Sequence, residues 1–255
     1  MERFEVFSNL KVIPDIPFVT RLDGRCFHQL AESLALVRPF DQTFRKCLSQ
    51  ATKALFETSG LNPVFAFLFS DEVNLLFLND PFARRVEKIC SITAGFLSVA
   101  FSQHLTRMFE HPEVAFGVFD ARIIPLPTID HLIEYFIQKQ HDAFRNCVNS
   151  YAFYALVQQY GLTPIEADTH LNRMTKQKRM DLLFKEFKVN INDVPMWERR
   201  GWSIYRDYFK KPGFNPLTGE RTTTLRTKIK IDLNLPLFNS EAGKTFLQIW
   251  IQSES

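Results

Sequence analysis

Residues 64–78 read VFAFLF-SDE-VNLLFL, two short apolar runs around Ser70, Asp71 and Glu72. Runs of this length around a short polar break predict a β-hairpin, although the turn lacks the usual glycine or asparagine. The first run does not alternate, so both faces of its strand should be covered. Upstream, residues 16–22 (IPFVTRL) form a β-prone segment that runs into a turn at Asp23-Gly24. Residues 26–36 place apolar groups at helical spacing, Pro39 breaks that pattern, and Asp41 can cap a second helix through about Glu57. Downstream, a long helix is predicted over 89–109 and a strand over 114–119, closed by Asp120. The order is βαββαβ. It suits an α+β protein built on a ferredoxin-like palm of the polymerase type, an antiparallel sheet with helices on one face. Other parts of the chain, or a partner subunit, should cover the second face.

The remainder reads as additional helices over 129–187, one of them starting at Thr163-Pro164 with Glu166 behind it. A C-terminal β-containing extension follows over 198–230, around a Pro-Gly-Phe-Asn-Pro turn. The expected organisation is a palm-like catalytic core at 1–125, with a helical region and basic extension at 126–255 packed on it. The window 198–230 holds nine Lys/Arg against three acidic residues, a local balance of +6, whereas the whole chain of 255 residues carries +3. That excess reads either as a solvated charged hairpin or as a surface for phosphate backbone. Arg199, Arg200, Lys210 and Lys211 flank Trp202, Tyr205, Tyr208 and Phe209, so cations and stacking faces come together there.

Apolar residues make up 45% and charged residues 23%, which excludes a disordered chain. There are 26 phenylalanines against nine glycines, so many rings must be buried. The cysteines, Cys26, Cys47, Cys90 and Cys147, form no CxxC pair, which argues against a zinc ribbon and points to a reduced, cytoplasmic setting. No secretory signal and no run of eighteen apolar residues is visible, so no membrane partner is expected.

The chemistry gathers at Asp23 and at Asp71-Glu72. First and third strands are neighbours in a ferredoxin-like sheet, so the end of the first lies close to the hairpin turn. Either piece alone reads first as a plain turn former. Together, carboxylates on neighbouring strand ends suit Mg²⁺, which takes one or two carboxylates plus phosphate oxygens and water. Two such ions would serve phosphoryl transfer, with Asp23, Asp71 and Glu72 as the catalytic carboxylates. Arg21 and Arg25 flank Asp23, His28 follows one turn on, and Arg84, Arg85 and Lys88 cluster after the hairpin. Those cations, with free N–H groups over 24–28, suit a triphosphate.

The run Arg21-Leu22-Asp23-Gly24-Arg25-Cys26-Phe27-His28, with Ser70-Asp71-Glu72 and Arg84-Arg85-Val86-Glu87-Lys88, resembles the tRNA(His) guanylyltransferase family. Arg38-Pro39-Phe40-Asp41 resembles its KPxD segment, and 181–195 its later helix-and-loop region. The resemblance implies two Mg²⁺ ions on Asp23, the Gly24 carbonyl and Asp71. It also implies a site for NTPs, ATP and GTP among them, lined by Arg21, residues 23–28, Asp41, Ser70, Asp71, Arg85 and Lys88. It implies tRNA as partner, nucleotide addition to a tRNA 5′ end in the 3′→5′ direction, and a homotetramer built as a dimer of dimers. The family's HINNLYN segment is replaced here by Phe144-Arg145-Asn146-Cys147-Val148-Asn149-Ser150. That departure resembles the guanylyltransferase-like branch, which implies template-dependent repair of 5′ ends rather than fixed guanosine addition. Fold alone leaves open a nucleotide cyclase or conventional palm polymerase, and a non-catalytic RNA-binding protein.

Overall fold

The computed structural model describes residues 4–109, 116–214, 219 and 221–252. Six strands form one antiparallel sheet: β1 (Phe18–Arg25), β2 (Phe65–Phe69), β3 (Glu72–Phe77), β4 (Val118–Pro125), β5 (Trp202–Phe214) and β6 (Arg221–Asp232), in the spatial order β4-β1-β3-β2-β5-β6. The first four take the ferredoxin-like order, with β1 against β3, and β5–β6 extend the sheet beyond β2.

On one face lie α1 (Phe27–Ser33), α2 (Gln42–Thr58) and α3 (Val86–Met108). The carboxylate of Asp41 caps α2, accepting from the Phe44 N–H at 2.8 Å. Helix α3 buries Ile89, Thr93, Leu97, Phe101 and Leu105, a single stripe at a spacing of four. Its length and hydropathy would also suit a membrane span, but that stripe is packed on the sheet.

The second face is closed by the chain itself. It carries α4 (Ile129–Tyr160) and α8 (Glu241–Gln252). Along β2, Ala66 and Leu68 face α2 and α3, while Phe65, Phe67 and Phe69 face α4 and α8. The Phe65 ring lies 5.1 Å from that of Phe136 in α4 and 6.1 Å from Trp250 in α8. This is why the strand carries no polar alternation. Beyond α4 come α5 (Pro164–Asn172), α6 (Lys176–Lys185) and α7 (Met196–Arg200). Thr163 and Glu166 close a reciprocal capping box at the start of α5.

Several boundaries differ from the sequence reading. β1 does not turn at Asp23-Gly24; it continues to Arg25 because Asp23, Gly24 and Arg25 pair with Asp120, Phe119 and Val118 of β4. β4 in turn runs from Val118 through Asp120 to Pro125, instead of closing at Asp120. Its inward residues are Phe119, Ala121 and Ile123, packed on the core under α3, and its polar residues alternate outward. Residues 114 and 115 of the expected strand lie outside the described residues. So do Asn215 and Pro216 of the expected Pro-Gly-Phe-Asn-Pro turn, whose first three residues belong to β5.

Candidate active site

The β1–β3 register places Leu22 opposite Val73, so Asp23 and Gly24 reach the turn that carries Ser70 and Asp71. A Cβ built on Gly24 would stand 2.8 Å from Asp71 Oδ2 and 2.7 Å from the Phe27 ring. Only glycine lets the Asp71 carboxylate lie directly on the β1 backbone. Ser70 makes the turn with φ of +49°, which stands in for the missing glycine. Burial pushes the Asp71 carboxyl up to about 6; the nearby charges of Asp23 and, more weakly, Glu72 add to the rise, while bonds from its own backbone and Ser70 oppose it. Asp23 and Asp71 thus crowd negative charge into one partly closed spot.

Gly24→Ala is expected to lower turnover roughly tenfold to a hundredfold with the fold retained, since sub-ångström displacement of a reacting group costs on that order. Steady-state rates beside a thermal melt check it; unchanged turnover would separate Gly24 from the chemistry.

Among the described residues, no group of three or more His, Cys, Asp or Glu side chains stands close enough to hold an ion alone. The donor set is nevertheless a fit for Mg²⁺. It is all oxygen, two neighbouring carboxylates, and such an ion takes its other ligands from phosphate and water.

Beside Asp71 opens a cavity of about 230 Å³ between α1, α2, α4 and α7. Phe27, His28, Asp41, Ser70, Tyr154 and Trp197 are among its lining residues. Arg45 joins them, a residue that sequence reasoning missed. It is 6% exposed, its guanidinium stands 5.4 Å from the Trp197 ring, and its buried Nε has no partner among the described residues. Asp41 spends both oxygens on backbone N–H groups, those of Val37 and Phe44. His28 is exposed and lies 3.4 Å from Glu32. Cys26, in the left-handed region at φ of +58°, starts α1, whose first N–H groups have no acceptor within the helix. Arg25 is exposed at the end of β1, and Arg21 lies mid-strand opposite Asn74 and Arg122.

Glu72 points to the face covered by α4, the face that Asp23 also shares by alternation along β1. It accepts from Lys139 Nζ at 2.8 Å and from Asn74 Nδ2 at 2.9 Å, and Tyr135 donates to Asn74 Oδ1 at 2.6 Å. Lys139, 7% exposed, is a charge buried beneath the sheet. Glu72, expected as a catalytic carboxylate, is thus tied to Lys139 and Asn74 and steadies the turn that carries Asp71. The signals for this network were an asparagine inside the apolar run VNLLFL and a lysine on the apolar stripe of α4.

The expected cation cluster is split. Arg84 points into the protein, donating to Asp80 at 2.5 Å and to the carbonyls of Ile13 and Ile16 at 2.6 and 2.8 Å. Those partners sit where β1 begins, at the opposite end of the sheet from Asp23. Arg85 and Lys88 follow Arg84 there and line a separate pocket with Glu5 and Ser8. The length of β3, about 17 Å at strand rise, separates that end from Asp71. Arg199 and Arg200 on α7 likewise lie well away from Lys210 and Lys211, which are exposed far along β5. The rings between them divide: Trp202 and Tyr205 are buried, Tyr208 and Phe209 exposed.

A family model described as tRNAHis guanylyltransferase matches residues 1–127, and one described as Thg1 C terminal domain matches 130–233. The chain belongs to the tRNA(His) guanylyltransferase family. It is 30% identical to the tRNA(His) guanylyltransferase of Debaryomyces hansenii over 215 residues, 81% of either chain. A probable tRNA(His) guanylyltransferase of Mus musculus is 27% identical over 242 residues, covering 90% of this chain and 81% of that one. Members of this family are nucleotidyltransferases, and so is this chain. The fold matches a bacterial tRNA(His) guanylyltransferase-like protein in complex with ATP, with a TM-score of 0.77, 22% identity, and coverage of 98% of this chain and 96% of that one. It also matches the tRNA(His) guanylyltransferase of Saccharomyces cerevisiae, with a TM-score of 0.69, 22% identity, and coverage of 79% and 90%. The sheet and helices described above thus share the fold of these two structures.

Proposed function

We propose that this chain extends the 5′ end of tRNA in the 3′→5′ direction, choosing each nucleotide by pairing with the opposing base. The observation that carries this reading is the Asp71 carboxylate lying on Gly24 beside Asp23, at the mouth of an aromatic-lined cavity. Asp23, Asp71 and the Gly24 carbonyl would hold Mg²⁺, whose charge, when bound, would offset that developing on the reacting phosphate. The cavity would take the nucleotide. Tyr154 and Trp197 supply stacking faces there, Arg45 a buried cation, and the open N–H groups at the start of α1 donors for phosphate oxygens. Arg85 and Lys88, at the far end of the sheet, would serve a phosphate other than this nucleotide's. Lys210 and Lys211, on the exposed part of the β5–β6 hairpin, would touch RNA backbone, while Trp202 and Tyr205 serve as core.

The reaction balances in two steps. A 5′-monophosphate oxygen attacks the α-phosphorus of ATP, releasing pyrophosphate and leaving an adenylylated end; a 5′-triphosphate needs no such step. The 3′-hydroxyl of the incoming nucleotide then attacks the phosphorus joined to the RNA 5′ oxygen, losing its proton as AMP or pyrophosphate departs.

Template choice follows from the segment 144–150. It forms part of α4, with Cys147 and Val148 buried, and presents no histidine or Asn-Asn pair to fix guanosine. Sequencing the nucleotide added to tRNAs with varied opposing bases tests it. The complement of each base is expected; guanosine on every tRNA would overturn the repair reading and leave fixed guanylylation.

A further inference from the structure

A second concavity, about 230 Å³, is lined by the end of α7, with Phe144 and Leu237 as its apolar floor. Trp197 on that five-residue helix lines the nucleotide cavity, and Arg199 and Arg200 line this one. Gln140 and His141 of α4, with Asn192 and Asn239, complete its polar wall. Both guanidiniums are half-buried, yet among the described residues no carboxylate neutralises either. Among the described residues Arg199 makes no hydrogen bond or ion pair, and its buried Nε is without a partner. Arg200 donates to the Leu235 carbonyl at 3.1 Å. The carboxylates close by in sequence are engaged elsewhere: Glu198 accepts from Tyr151 at 2.5 Å, Asp193 from Asn190 at 3.0 Å, and Asp142 faces Lys139 and Arg145. Burial and then the like charge of Arg199 lower the Arg200 pKa, so the pair is held together without the anion that would relieve it.

We infer that this concavity is a phosphate site, with Arg199 and Arg200 as a guanidinium fork and His141, Asn192 and Asn239 as flanking polar groups, and that it holds a backbone phosphate of the RNA substrate. Guanidinium forks match phosphate oxygens bidentately. RNA rather than the bound nucleotide is the occupant because no residue lines both this concavity and the nucleotide cavity. The choice of RNA rests on the function proposed above; the anion site itself does not.

The test uses the full chain and Arg199→Gln, which removes no bond among the described residues. Arg199→Lys, which keeps charge and stem, serves if the glutamine variant fails to fold. Two readouts keep the claims apart. In filter binding with tRNA across a salt series, Arg199→Gln should weaken affinity about fivefold to tenfold near 0.1 M salt and lower the log–log salt slope by about one. KM for ATP should not move. In thermal melts with inorganic phosphate as probe, the wild type should be stabilised and Arg199→Gln should not. Loss of the phosphate effect with unchanged tRNA affinity and slope would overturn RNA as occupant. A raised KM for ATP would reassign the site to the nucleotide. No phosphate stabilisation of the wild type, together with unaltered tRNA binding by the variant, would overturn the site altogether. Wild type that ignores tRNA but keeps the phosphate effect would sink the RNA reading alone.

Discussion

Asp71→Asn is expected to lose at least about a thousandfold in nucleotide addition, roughly 4 kcal/mol of barrier, while melting no lower than the wild type at pH 7. The two halves have one cause. Burial and the neighbouring Asp23 hold the Asp71 carboxyl near 6, above the ordinary carboxylate value. A carboxyl raised in the fold costs stability while ionised; the cost is fully present above about pH 6 and fades as pH falls toward its unfolded value near 4. Asparagine keeps the shape without the charge, so the variant should escape that cost. Without divalent ions, the wild type should therefore gain stability relative to Asp71→Asn as pH drops from 7 to 5. Rates and melts over that range read both effects. Turnover within tenfold of wild type would remove Asp71 from the centre, and a clear drop in melting temperature at pH 7 would make it a structural residue.

The other large effect is expected behind the sheet. Lys139→Met should destabilise the protein by about 3–5 kcal/mol, since it leaves the largely buried Glu72 carboxylate without its cation. At this chain length that lowers the melting temperature by about 10 °C. The double variant Lys139→Met with Glu72→Gln should recover a large part of the loss, because the uncompensated charge is gone. Activity measured well below the melt should fall too, as the turn that presents Asp71 loses its anchor. A single variant melting within about 2 °C of wild type would show that the pair does not hold the hairpin.

Much of this was legible because it rests on local pattern. The unalternated VFAFLF run foretold a strand buried on both faces, and Phe65, Phe67 and Phe69 against α4 and α8 are the reason. Asp41 reads as a cap and is one. The approach of Asp23 to Asp71 followed from strand order alone, since β1 beside β3 brings those ends together. What escaped was set by tertiary partners. Asp23-Gly24 looks like a turn until β4 is there to pair with it, and Asp120 looks like a stop until its strand proves to be an edge. Arg84 next to Arg85 reads as a cation pair, yet the left-handed backbone at Phe82, Ala83 and Arg84 sends its guanidinium inward to Asp80 and two carbonyls. Glu72 beside Asp71 reads as a second catalytic carboxylate, but strand alternation delivers it to Lys139, more than sixty residues away. Arg45 carried no signal, being one basic residue on an amphipathic helix; only the cavity marks it.

The most direct test of 3′→5′ addition takes a tRNA that lacks its first nucleotide and carries a labelled 5′-phosphate, incubated with the protein, Mg²⁺ and all four NTPs. The account predicts a product one nucleotide longer, with the label now internal and protected from phosphatase. It also predicts that Asp23→Asn and Asp71→Asn make no such product. Growth only at the 3′ end, or a label that stays phosphatase-sensitive at unchanged length, would contradict it.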